Sequence, residues 1–186
     1  MRPRDRRPPR PALRFALTFA GAAALLFGAY AFPYRELGMS EGWLRGYLSG
    51  YARLAGAILG LFDPRVVVEG NVITGRSALS IVKTCDAMEA NLLFVAAVLA
   101  FPSAPLEPAR RWQRKLIAAL AGIAAISTLN VARICSLYAV SIYWPSAFEL
   151  CHVELWPLLL IIATVALFAA AARWLSRAPT ARTASA

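Results

Sequence analysis

The sequence has few of the residues that form metal centres and redox sites. Its 186 residues include one histidine and three cysteines, and only 16% of the residues are charged. A single histidine with scattered acids is a poor set of metal ligands, so we expect neither a metal nor a nucleotide cofactor. The chain also lacks a Cys-x-x-Cys pair, which thiol oxidoreductases usually contain. These absences argue against a metalloenzyme and against a thioredoxin-like redox protein.

Hydrophobic residues make up 59% of the chain, and the mean hydropathy is +0.56. Long apolar stretches predict membrane-spanning helices, since about 20 helical residues cross the roughly 30 Å apolar layer. The first stretch is too long for a cleavable signal peptide and is not followed by a small-x-small cleavage site. We predict an all-α integral membrane protein with a four-helix transmembrane bundle in the lipid bilayer. The predicted spans are residues 13–32, 85–101, 116–143 and 153–172.

The net charge of +10 is divided unevenly by these spans. Residues 1–14, 102–115 and 173–186 together hold thirteen basic residues and two acids. Basic loops stay in the cytoplasm, and exactly four spans place all three segments on that side. Because the spans partition the charge in this way, we do not interpret it as a nucleic-acid-binding surface. Residues 33–84 and 144–152 are then expected to face outward.

This topology divides the chain into three parts. Residues 1–12 are predicted to be a basic cytoplasmic tail, residues 13–172 a membrane domain, and residues 173–186 a disordered cytoplasmic tail. We find no internal repeat and no separate soluble domain.

Residues 41–62 could add a further span, because they are long enough to cross a membrane. Their pattern favours an amphipathic helix that lies in the interface or packs on the bundle, with polar residues on one side. A spanning helix would also move the basic loop at 102–115 outside, against the charge rule. The apolar face is formed by Leu44, Tyr47, Leu48, Tyr51, Leu54, Ala55, Ile58, Leu59 and Phe62, and the polar side by Glu41, Arg45, Ser49 and Arg53.

Residues 65–83 differ in composition, because they contain runs of β-branched residues and two glycine-containing turns, at Gly70-Asn71 and Gly75-Arg76. This pattern predicts a small strand-turn-strand unit, a β-hairpin on the outward side. The hairpin leads directly into Thr84 and Cys85.

Cys85 is predicted to lie in the first turn of the second membrane helix, with Thr84 as the N-cap. The helix dipole favours a thiolate there, whereas Asp86 and Glu89 oppose it, so reactivity requires a cationic neighbour. The alternative is that Cys85 is simply a small buried hydrophobic residue.

Arg133 is a candidate for that cationic neighbour. An ionised arginine inside a membrane span costs a few kcal/mol or more, so it is expected to have a partner or a function. Asn130 lies three residues earlier on the same helical face and is a candidate supporting residue. The alternative is a structural ion pair between Arg133 and Asp86 or Glu89.

His152 is predicted to begin the fourth span, opposite the start of the second helix. An imidazole there suits proton transfer, although a lone histidine at a membrane edge is often only an interfacial side chain. Cys135 is expected to be inert within a packed span. Cys151 is a rival nucleophile, or a partner for Cys85 in a disulfide.

The order Cys, then Asn-x-x-Arg, then His on successive membrane helices resembles the exosortase/archaeosortase family. The match is carried by KTCDAMEANLLF, by NVARICSLY and by the histidine before the last span, over roughly residues 60–172. The variants CDAMEAN and FELCHVELWP are most similar to exosortase H. One departure is Asp86-Ala87, where many members have Ser-Gly; it affects the expected substrate motif more than the chemistry.

The resemblance implies a cysteine transpeptidase or peptidase in the bacterial inner membrane, with Cys85 as nucleophile and Arg133 and His152 completing a site on the periplasmic face. The implied partners are membrane-anchored proteins whose C-terminus carries a short motif, a transmembrane helix and a basic tail. Two alternatives remain at this point. One is a membrane thiol oxidoreductase that uses Cys85 and Cys151, and the other is a non-enzymatic membrane assembly subunit.

Overall fold

The protein is mostly helical, as seen in a computed structural model that describes residues 11–31, 40–82, 85, 87–104 and 107–177. The helices in chain order are α1 (Pro11–Ala31), α2 (Ser40–Gly60), α3 (Met88–Ala100), α4 (Pro108–Tyr143) and α5 (Trp156–Ser176). Three short strands lie between α2 and α3: β1 (Val67–Glu69), β2 (Val72–Thr74) and β3 (Ala78–Ser80).

Three helical segments are long and apolar enough to cross a membrane: Ala12–Tyr30, Pro108–Tyr143 and Pro145–Ser176. They overlap the first predicted span and contain the third and fourth, as expected of an integral membrane protein. The last two are longer than predicted, because α4 already begins at Pro108 and helical turns precede α5. Proline suits the first turn of a helix, where its missing N–H would have no partner. A bundle of four transmembrane helices remains a prediction.

The helix within the second predicted span, residues 85–101, is shorter than that span, and whether it crosses the membrane remains a prediction. Helix α3 has 13 residues, from Met88 to Ala100, and is therefore about 20 Å long, shorter than the apolar layer. Ala87 precedes the helix with φ +54°, in the left-handed region, so the helical path does not continue back to Cys85. The predicted N-cap Thr84 lies outside the described residues, and so does Asp86.

Helix α2 has the predicted amphipathic character, although its contacts differ in detail. Leu48, Tyr51 and Ala55 are buried against α4 and the strands, as the pattern predicts. Ser49 is also buried, because its hydroxyl donates to the Arg45 carbonyl (2.6 Å) and needs no water. Leu54 and Ile58 on α2 and Phe62 just beyond it stay exposed, since the apolar stripe is wider than the surface it packs on. Whether α2 lies in the membrane interface remains a prediction.

The β unit contains a third strand in addition to the predicted hairpin. The strands form an antiparallel sheet in the order β1-β2-β3, with Ile73 of β2 paired to Val68 on one side and Leu79 on the other. The alternating residues after the second turn form β3 and pair with β2. Ile73 is fully buried and fixes the register of this pairing.

The sheet is tied to α4 by polar contacts near one end of that helix. The Arg76 backbone N–H donates to the Tyr138 hydroxyl (3.1 Å), and the Ser141 hydroxyl donates to Ser77 Oγ (2.9 Å). Tyr138 is itself almost completely buried. These contacts hold the sheet against the C-terminal part of α4.

The described parts of the three basic segments lie together at the opposite end of the bundle. Arg114 of α4 donates to the carbonyls of Trp174 and Arg177 at the end of α5. Arg14 of α1 and Arg111 of α4 line one pocket there. The remainder of the two predicted tails, residues 1–10 and 178–186, lies outside the described residues.

Candidate active site

Cys85 is held by its backbone in the segment between β3 and α3. Its N–H donates to the Val82 carbonyl (2.8 Å), and its carbonyl accepts from Asn130 Nδ2 (2.8 Å). Asn130 is completely buried on α4, and Cys85 is only 8% exposed. The fixed backbone limits where the thiol can point. Because Cys85 precedes the helix, the prediction that it lies in the first turn of α3 is wrong.

The thiol of Cys85 faces His152. The distance between Cys85 Sγ and His152 Nε2 is 3.3 Å, which is within hydrogen-bond reach for sulfur. The two residues are 67 positions apart in the sequence, so only the fold brings them together. A thiol and an imidazole in contact form the nucleophile and base of cysteine-dependent acyl transfer.

His152 lies in a wide π-helical turn, Leu150–Leu155, immediately before α5. Pro157 at the start of α5 cannot donate a backbone hydrogen bond to the preceding turn, which favours an irregular turn at this place. Such turns are frequent at functional sites because they redirect individual side chains. The ring of Phe148 lies 5.6 Å from the His152 imidazole and packs beside it.

Arg133 reaches the same site from α4. It is 5% exposed, and one terminal nitrogen, Nη2, donates to the His152 carbonyl at 3.4 Å. Among the described residues, no acid forms an ion pair with this guanidinium, and its buried Nε has no hydrogen-bond partner. Among the described residues, Arg133 therefore has no acid that neutralises its charge, and its Nε–H has no acceptor. A structural ion pair with Glu89 is not formed, and Asp86 is not described.

A cavity of about 160 Å³ joins these groups. Cys85, Arg133 and His152 line it, and the rest of its wall is mostly apolar. A low-polarity cavity strengthens the interaction of the guanidinium with any negative charge that develops inside it. The other lining residues are Leu79, Ser80, Ile81, Val82, Ile134, Leu137 and Phe148.

The other two cysteines do not share this environment. Cys135 lies on α4 with its thiol 3.8 Å from the Ala55 carbonyl, away from the cavity. All three cysteines are free, so no disulfide joins Cys85 to Cys151. Within the part of the chain that the structure describes, no group of three His, Cys, Asp or Glu side chains could hold a metal ion.

The structure thus brings together Cys85, Arg133, His152 and Asn130, four of the five residues predicted for the site. The fifth, Thr84, is outside the described range. Sequence reasoning missed Phe148 and the end of the sheet at Ser80–Val82 as parts of the cavity wall. A signal for Phe148 was present, since it lies four residues before His152 and so on the same face of a helical segment.

The family model described as transmembrane exosortase matches residues 12–169. No curated protein and no solved structure matches the chain.

Proposed function

Because the chain belongs to the transmembrane exosortase family, we propose that it is a membrane-embedded cysteine transpeptidase or peptidase. Its substrates are membrane-anchored proteins whose C-terminus carries a sorting motif, a transmembrane helix and a basic tail. The observation that carries the proposal is the 3.3 Å contact between Cys85 Sγ and His152 Nε2.

The reaction begins with transfer of the Cys85 thiol proton to His152. The thiolate attacks the carbonyl carbon of the scissile peptide bond, so that a carbon–sulfur bond forms and the carbonyl oxygen becomes an oxyanion. When the carbon–nitrogen bond breaks, His152 returns its proton to the leaving amine. The products of this half-reaction are a thioester on Cys85 and the released C-terminal fragment.

Arg133 has the role of stabilising negative charge in this step. Its buried Nε–H is available, because it has no partner among the described residues. Preorganised donors in a site that excludes water stabilise an oxyanion without having to reorient during the reaction. The bond from Arg133 to the His152 carbonyl also supports the π-helical turn that carries the imidazole.

The thioester is resolved by a second nucleophile. Water would give a carboxylic acid, whereas an amine or hydroxyl acceptor would give an amide or ester, and in each case the thiol of Cys85 is regenerated. His152 accepts the proton of the incoming group and delivers a proton to the departing sulfur.

The open edge of β3 is suited to bind the extended part of a substrate beside Cys85. The Ile81 N–H donates to the Asn71 carbonyl (2.9 Å), and Asn71 Nδ2 donates to the Ile81 carbonyl (2.8 Å). Neighbouring residues in a strand direct their backbone groups to opposite edges, so the backbone groups of Ser80 and the N–H of Val82 point away from β2. The Val82 carbonyl already accepts from the Cys85 N–H. Ser80 and Val82 both line the cavity, where a peptide could add as a further strand.

Two other functions have less support from the geometry of the site. A thiol oxidoreductase needs a second cysteine near Cys85, yet Cys151 is not bonded to it and does not line the cavity. A non-enzymatic assembly subunit gives no reason for an imidazole beside the thiol, nor for an arginine in the same apolar cavity that has no acid partner among the described residues.

The proposal is tested with a substrate encoded in the same genome, recognised by its motif, apolar helix and arginine cluster. The candidate is coexpressed with the protein and carries a tag at each end, so that processing removes the C-terminal tag. Cys85→Ala should abolish processing while the protein still accumulates in the membrane. Cys135→Ala and Cys151→Ala are the matched controls and should keep most activity. Equal loss from Cys85→Ala and Cys151→Ala would support the oxidoreductase instead.

A further inference from the structure

A second pocket lies at the basic end of the bundle, far from the catalytic cysteine along the helices. It has a volume of about 570 Å³ and lies between the start of α1, the end of α3 with the loop that follows, and the start of α4. Three cations line it: Arg14 from α1, and Arg111 and Lys115 from α4. None of the residues that line the pocket is acidic.

The three cations are close together without a neutralising acid. Arg111 and Lys115 are four residues apart on α4, so their like charges lie one turn above the other, which is unfavourable. Lys115 is 8% exposed, and its ammonium donates to the Leu99 carbonyl. No carboxylate among the described residues forms an ion pair with Lys115, and Glu107, the nearest acid in the sequence, is exposed and does not line the pocket.

A buried, unpaired ammonium is costly unless an anion neutralises it. Ser103 also lines the pocket, and its buried hydroxyl oxygen has no hydrogen-bond partner among the described residues. Three positive groups around one space, with no acid among the lining residues, match the charge and the oxygens of a phosphate group.

We propose that this pocket binds the phosphodiester of an anionic phospholipid. A lipid is favoured as the source because α1 and α4 are membrane-spanning candidates and the pocket lies at one end of both. Its walls also include the rings of Phe15 and Trp112, which suit the apolar part of a lipid, and Trp112 is 57% exposed. Basic pockets between transmembrane helices are recognised lipid headgroup sites. The bound lipid would hold α1, α3 and α4 together at this end.

Arg110 provides a control, because its substitution removes one positive charge outside the pocket. Arg110 and Arg111 are adjacent on α4 and both are exposed, but only Arg111 lines the pocket. Replacing either by glutamine lowers the net charge equally. Arg114 is less suitable, because it binds the carbonyls at the end of α5 and its guanidinium lies 4.6 Å from the Trp174 ring centroid.

The full-length protein is purified in a neutral detergent, stripped of lipid and titrated with phosphatidylglycerol or phosphatidylcholine, and bound lipid is counted by native mass spectrometry. The neutral detergent removes the general attraction of an anionic membrane surface. Phosphatidylglycerol should bind at least about tenfold more tightly than phosphatidylcholine. Arg111→Gln should weaken phosphatidylglycerol binding about tenfold, whereas Arg110→Gln should change it by less than about twofold.

Arg14→Gln provides a second variant on another helix and should have the same effect as Arg111→Gln. Equal binding of the two lipids, or equal loss from Arg110→Gln and Arg111→Gln, would overturn the proposal. Competition by inorganic phosphate at the concentration of the lipid would assign the pocket to free phosphate and overturn the lipid assignment. None of these outcomes depends on whether the protein is a transpeptidase.

Discussion

Among the single residues, Arg133 distinguishes a catalytic site from a structural one most clearly. Its side chain enters an apolar cavity, donates to the His152 carbonyl and has no acid partner among the described residues. A buried arginine with only a structural role is expected to be paired with an acid, because an unpaired charge is costly. The absence of such a partner in the described part of the chain agrees with a charge that is neutralised only during the reaction.

Replacing Arg133 by lysine tests this interpretation. Lysine has one ammonium group instead of a planar guanidinium with several N–H donors, and burial would favour loss of its proton. Arg133→Lys should therefore lower the processing rate by about 10²-fold or more, as expected for loss of an oxyanion donor, at matched protein abundance. Arg53→Lys on the exposed side of α2 is the control and should have almost no effect. Near-normal processing by Arg133→Lys would show that Arg133 is structural.

The residues of the candidate site could be predicted from the sequence because each stands out in its own segment. Arg133 is a charge within an apolar run, and His152 is the only histidine. We expected both residues near Cys85 because successive spans alternate in direction. His152 contacts the Cys85 thiol, and Arg133 lines the same cavity. The supporting role of Asn130 was predicted from its spacing, although its actual partner is the Cys85 carbonyl. Phe148 was missed because an aromatic residue near a membrane edge is not distinctive.

At the scale of elements, the segment between β3 and α3 determines how Cys85 is presented. Ala87 has φ +54°, and left-handed backbone costs an alanine about 1–2 kcal/mol. Many members of the family that the sequence resembles have glycine at this position. The start of α3 could not be predicted, because an alanine gives no sequence signal for left-handed backbone. The π-helical turn was missed for a similar reason, since Pro157 marks a helix start as readily as an irregular turn.

Ala87→Gly should therefore stabilise the protein. Glycine adopts left-handed backbone without the steric cost, which outweighs its larger loss of chain entropy, so the expected gain is about 0.5–1 kcal/mol. The matched control is Ala96→Gly in the middle of α3, where the same change should destabilise by about 1 kcal/mol. The measurement is the free energy of unfolding in detergent for both variants. A loss of stability in Ala87→Gly would mean that Ala87 is not in the left-handed region.

At the scale of the whole molecule, the fold separates two ends with different chemistry. One end carries the sheet, Cys85 and His152, and the other carries Arg14 and the cluster around Lys115. The charge pattern predicted this separation, because basic residues are retained on one side of a membrane. The number of spans was harder to predict, because it depends on whether α3 is long enough to cross the membrane. The length of α3 depends in turn on the residue at which the helical backbone conformation begins.

The orientation of these two ends is tested by labelling single cysteines in a variant that lacks the three natural ones. Cysteines at Arg111 and at Thr180 should be shielded from a membrane-impermeant thiol reagent in intact cells, because both positions are predicted to be cytoplasmic. A cysteine at Asn71 should be labelled, because the sheet is predicted to face outward. Labelling at Arg111 would mean that residues 41–62 span the membrane, and the active site would then not lie on the outward face.

The central claim is that Cys85 forms a covalent acyl intermediate, and isolating that intermediate tests it most directly. Membranes containing the protein and its tagged substrate are denatured rapidly in acid and digested, and the Cys85 peptide is analysed by mass spectrometry. We predict a substrate fragment attached to Cys85 through a thioester that neutral hydroxylamine releases, and no adduct in the Cys85→Ala variant. An adduct on Cys151 or Cys135, or processing that continues in the Cys85→Ala variant, would contradict the account.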